Sequence, residues 1–102
     1  MDAVKVVKDG MTRTYWFEEP VFACAHTWAN LNVPFNKLRC EHRICRERVA
    51  RLLRVDGVFY VGAGSLNERA LFITLVKGAD WDAVEPEVIG IIETFEPAVL
   101  DQ

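Results

Sequence analysis

The chain has 102 residues, 51% of them apolar and 11% aromatic, which suits one domain around a single core and excludes an intrinsically disordered segment. Net charge is −3, and the acidic balance argues against a surface devoted to neutralising nucleic-acid phosphates. No stretch reaches the ~18 consecutive apolar residues of a membrane span, and the start MDAVKVVKDGM lacks the apolar run of a secretory signal.

Taken in chain order, VKVVK (residues 4–8) and MTRTYWF (residues 11–17) flank Asp9-Gly10, a dipeptide that accepts the positive φ angles of a tight hairpin turn. After Glu18-Glu19-Pro20, the segment Val21–Trp28 reads as a third strand, with Phe22, Cys24, His26 and Trp28 on one face. A loop carrying Pro34 ends at Asn36, a suitable N-cap. From Lys37 to Val55 the period becomes helical: Leu38, Cys45, Val49, Leu52 and Leu53 form an apolar stripe, and arginines fill the complementary arc. Asp56-Gly57 stops that helix.

Strands at 58–62 and 70–76 follow, joined by the loop GAGSLNER. Gly62 and Gly64 in VGAGS lead into a strand and not a helix, so a hairpin loop is expected there and not a phosphate-binding turn. A second helix over 81–95 carries Trp81, Val84, Val88, Ile91, Ile92 and Phe95, with Pro86 expected only in its first turn or at a break. The order predicts an α+β two-layer sandwich, an antiparallel or mixed sheet with both helices on one face, as a single domain over residues 1–102.

Charge is segregated. Lys37, Arg39, Arg43, Arg46, Arg48, Arg51 and Arg54 face only Glu41 and Glu47 in that stretch, whereas after Lys77 every charged residue is acidic. Such a dipolar arrangement orients protein encounters, and Arg43, Arg46, Arg51 and Arg54 are the expected partner-binding residues.

Three cysteines without a disulfide-framework spacing suit a reducing compartment, so a cytoplasmic protein is expected. Cys24, His26, His42 and Cys45 would converge as a soft-metal set, for zinc or an iron–sulfur cluster, if the helix packed on the third strand. No pair has C-x-x-C spacing, and buried cysteine behaves as a small hydrophobe, so no cofactor is expected and metal binding stands as the alternative. Cys40, before the arginine-rich stretch that favours a thiolate, is the redox alternative. Nucleic-acid binding through the arginine-rich helix, with Trp28, Phe35 and Tyr60, is a further alternative. Ser65 has no nucleophile motif around it and neither histidine has an evident partner, so no catalytic residue is expected and the protein is not read as an enzyme.

Residues 48–64 (RVARLLRVDGVFYVGAG) and 70–95 (ALFITLVKGADWDAVEPEVIGIIETF) resemble the N-terminal domain of Nfu-type (NifU-like) iron–sulfur scaffold proteins. The matching phrases are Leu52, Val55, Gly57 and Val58, then Phe72, Thr74, Val76 and Lys77, and above all Asp80, Trp81 and Pro86. The family's opening segment has no clean counterpart here, and its cluster-binding C-x-x-C domain does not follow. The resemblance implies the same sheet-and-two-helices fold. It also implies a stand-alone, non-catalytic adaptor whose protein partners are iron–sulfur assembly or delivery components; a monomer or weak dimer is expected.

Overall fold

The computed structural model describes residues 1–32 and 42–98. Five strands form one sheet: β1 (Lys5–Asp9), β2 (Thr12–Trp16), β3 (Trp28–Asn30), β4 (Val58–Ala63) and β5 (Ala70–Leu75). They run antiparallel in the order β1-β2-β5-β4-β3, with α1 (Arg43–Leu53) and α2 (Trp81–Glu93) as the helices. The α+β architecture matches the expectation.

The β1–β2 turn centres on Gly10 and Met11, because Asp9 already pairs with Thr12. Gly10 has φ 60°, the conformation that a two-residue hairpin with glycine first requires. Alternation along β2 buries Arg13 and Tyr15 and leaves Thr12, Thr14 and Trp16 on the opposite face. The register Tyr15↔Leu71 and Val61↔Ile73 continues that buried face across the sheet centre. Cys45, Val49 and Leu52 from α1 and Trp81, Val88 and Ile92 from α2 complete the core. Fully burying each large aliphatic side chain contributes roughly 1.5–3 kcal/mol.

The third strand is where the sequence expectation fails. Only Trp28–Asn30 is extended strand, and the preceding segment is a bent loop. Val21, Phe22 and Ala23 are buried in succession, which a two-sided strand facing one core does not permit. The N–H groups of Val21 and Phe22 both donate to the Glu68 carbonyl. The Thr27 N–H and hydroxyl both donate to the Cys24 carbonyl, closing the bend. Cys24 and His26 therefore do not share a strand face.

Helix α1 is described from Arg43, with His42 as its N-cap residue in extended conformation. The expected N-cap Asn36 and the expected first turns fall on residues 33–41, outside the described residues. Helix α2 starts as its sequence suggests: the Asp80 carboxylate accepts the Asp82 N–H at 3.0 Å. Pro86, however, sits inside a helix that continues to Glu93. Its ring removes the bond to the Asp82 carbonyl, but both residues are exposed, so water can satisfy that oxygen. The Met1 amino group donates to the carbonyls of Ile92, Glu93 and Phe95 at 2.9–3.1 Å, placing a cation at the negative end of α2.

Arg48 lies within the basic stretch of the sequence yet is only 6% exposed. Its guanidinium donates to the Val21 carbonyl at 2.7 Å and to the Glu96 carbonyl, and lies 4.5 Å over the Phe95 ring. It thus fastens α1 to the bent loop and to the segment after α2. Burial lowers its pKa from the ordinary arginine value, with Cys45 and Glu96 opposing. Arg48→Ala should lower stability by about 3 kcal/mol, because it strands two carbonyls and removes a packed side chain. Arg48→Lys should recover less than half of that loss, since a lysine lacks the fork that spans both acceptors. Urea unfolding midpoints of the three proteins check both outcomes.

Candidate functional site

The outer face of α1 carries the candidate site. Helical spacing places Arg46, Glu47, Ala50, Arg51 and Arg54 around one open cleft of about 340 Å³. Its carboxylate, Glu47, accepts the Arg43 Nε–H at 2.8 Å, one turn earlier on the same helix. Arg43 is exposed and completes the basic ridge. Arg51 donates to the Thr94 hydroxyl at 3.0 Å and lies 5.8 Å over Phe95, which holds its guanidinium at the rim. Arg46 and Arg54 form no salt bridge among the described residues. The structure thus brings the four expected arginines together on one helix face, while Arg48 turns inward. Guanidinium forks arranged like this suit carboxylates or other planar oxyanions.

The four cysteine and histidine positions are distributed differently. Cys45 is completely buried under α1, whereas His42 is the partly exposed N-cap residue and not a member of the core-facing stripe. Cys24 is half-buried in the bent loop, where its Sγ accepts the His26 N–H at 3.4 Å, and the His26 side chain is exposed. Among the described residues, no group of three or more histidine, cysteine or acidic side chains is placed to hold a metal ion. Cys40 lies outside the described residues.

Aromatic residues occupy the sheet face away from the helices. Trp28 and Tyr60 stack with centroids 6.1 Å apart and planes within 9°, and Phe72 meets Tyr60 edge-on at 5.6 Å. Gly62 makes room for this row, since a Cβ there would come within 2.7 Å of the Trp28 Cβ. The arginines and these aromatics therefore lie on opposite layers and do not interleave. Phe35, the third aromatic considered for nucleic-acid contact, lies outside the described residues.

One cluster has no linear signature. Arg13 and the Tyr15 hydroxyl both donate to Glu85 Oε2, and Arg13 lies 4.8 Å over the Trp81 ring, whose Nε1–H donates to the Met11 carbonyl at 2.9 Å. Asp82 and Glu87 of α2 are exposed, whereas Glu85 turns inward to join α2 to β2. Burial alone would raise the Glu85 pKa, but the hydrogen bonds from Arg13 and Tyr15 and the Arg13 charge outweigh it, leaving the carboxyl below the usual carboxylate range. Burial, reinforced by Glu85, holds the Tyr15 phenol protonated far above its ordinary value. The cluster is a structural brace, and no buried side-chain nitrogen or oxygen among the described residues lacks a partner.

No family model matches the chain, and no curated protein matches it. Among solved structures, it is similar to the crystal structure of protein SAV1430 from Staphylococcus aureus, with a TM-score of 0.61 and 15% identity. The match covers 90% of this chain and 99% of that one, and at this identity it shows a shared fold. Among the described residues no helix is long and apolar enough to cross a membrane.

The lowered Glu85 pKa gives a pH signature. A carboxyl depressed in the folded state contributes stability above its unfolded pKa, near ~4.3, and that contribution is lost as pH falls through the folded value. Glu85→Gln should therefore lose about 1–2 kcal/mol at pH 7 and less against wild type as pH drops below ~4. Chemical unfolding of both proteins between pH 3 and pH 7 reads this difference.

Proposed function

We propose that this domain is a non-catalytic protein-interaction module that docks an acidic partner surface on the outer face of α1. The observation that carries this reading is the arginine-lined cleft, whose carboxylate is already engaged by Arg43. Partly exposed guanidiniums at a rim contribute mainly to encounter rate and partner choice, and less to final affinity. The reading needs no resident cofactor. Its expected setting is the cytoplasm, and the resemblance of residues 48–64 and 70–95 to the Nfu N-terminal domain favours iron–sulfur assembly components as the partners.

The test is affinity capture from native extract on immobilised protein at low and moderate salt, with quantitative mass spectrometry and then a binding assay on the protein retained. Joint replacement of Arg43, Arg46, Arg51 and Arg54 by alanine should weaken binding to that protein by at least ~10-fold at low salt, with a flatter salt dependence. Unchanged affinity in the four-arginine variant would refute the docking face. Retained proteins unrelated to iron–sulfur assembly would refute the partner class while leaving the face intact.

A further inference from the structure

The edge strand β1 offers a second surface, independent of α1. All five of its residues are exposed, and it pairs with β2 on one side only. The hydrogen-bond phase of the sheet fixes which main-chain groups point outward. Phe17 N–H donates to the Arg69 carbonyl and Leu75 N–H to the Met11 carbonyl, so Arg13 and Tyr15, in phase with them, direct their main-chain groups at β5. Thr12, Thr14 and Trp16 consequently direct theirs at β1, onto Asp9, Val7 and Lys5. Val6 and Lys8 are left with N–H and C=O groups facing away from the sheet.

We propose that two copies of this chain pair antiparallel through β1, about a twofold axis at Val7. In that register Val6 of one copy and Lys8 of the other exchange main-chain hydrogen bonds, and the symmetry repeats the exchange on the other side of the axis. Val7 faces Val7, and Lys5 of each copy lies opposite Asp9 of the other. The segment KVVKD is thus self-complementary in charge when read against itself in reverse.

The neighbouring registers that keep the outward groups paired are worse. One sets Lys8 against Lys8, and the other leaves both Asp9 side chains beyond the ladder. Directly paired residues point to the same face of a sheet, so the two subunits would share one ten-stranded sheet with all helices on one side. Both α1 arginine faces would stay uncovered. One short strand per subunit buries far less than the ~1,200 Å² of stable complexes, so the association is weak.

Sedimentation velocity over a concentration series reaching about 1 mM should show reversible dimerisation, because contacts this small fall near the millimolar-to-micromolar range. V6P removes an outward N–H while sparing the β1–β2 ladder, and should weaken dimerisation by at least ~10-fold. K5D and D9K should each weaken it, and the double variant K5D/D9K should restore it.

V7C supplies a register-specific readout, because directly opposed residues at a non-hydrogen-bonded position have Cα atoms ~4.5 Å apart, within disulfide range. Under mild oxidation V7C should give a covalent dimer that wild type does not, with the new bridge mapped to position 7 on both chains. Circular dichroism of each variant confirms that it is folded. A sedimentation coefficient that stays monomeric across the series would overturn the proposal. So would a dimer indifferent to V6P, or a V7C protein that crosslinks no more than wild type.

Discussion

A single buried guanidinium organises the half of the molecule that local propensity leaves undecided. Arg48 leaves the core side of α1, crosses Phe95 and donates to carbonyls on either side, Val21 in the bent loop and Glu96 beyond α2. Neither segment has regular secondary structure to satisfy its backbone, and an unpaired buried carbonyl costs about 1–3 kcal/mol. The Arg48 fork supplies donors to both at once. With that anchor in place, Val21, Phe22 and Ala23 can all turn inward, and the Ala98 N–H reaches the Pro20 carbonyl at 2.8 Å.

A second polar brace secures the other half. Arg13 and Tyr15 come from the buried side of β2, Glu85 descends from α2, and Trp81 roofs the group. Removing Glu85 from this partly buried pair is costly, because the nearly buried Arg13 charge is left poorly solvated. The two braces play parallel parts, each binding one helix to the irregular or β elements beneath it. They also explain why only part of the chain's charge is available to a partner. Arg48, Arg13 and Glu85 are consumed internally, whereas Arg43, Arg46, Arg51 and Arg54 remain together on the outer face of α1.

Two exposed surfaces of the sheet layer are of different kinds. The face away from the helices carries the Trp28–Tyr60–Phe72 row, partly shielded by its own stacking, with Trp28 38% exposed. The β1 edge carries charges at Lys5, Lys8 and Asp9, the usual means by which proteins limit indiscriminate strand pairing. In KVVKD those charges also select one antiparallel register with itself, so the same residues that discourage foreign strands favour a second copy.

Much of this was legible in the sequence. Alternation in MTRTYWF and ALFITL, the glycines at 10 and 57, and the helical stripe through Cys45, Val49 and Leu52 each encode a local choice, and local patterns set strands, turns and the arginine arc of α1. Residues 21–28 carry no such local code, because small and β-branched residues suit a strand and an inward-packed loop equally well. Only distant partners, the Glu68 carbonyl and Arg48, select the loop. Glu85 was likewise indistinguishable from its acidic neighbours on α2, since its partners lie about seventy residues away on β2. By itself the sequence determined the α+β class, the order of elements and the basic face. The tertiary structure alone decided which arginines and carboxylates are spent inside and which edge stays open, because those outcomes depend on contacts between segments that no local pattern couples.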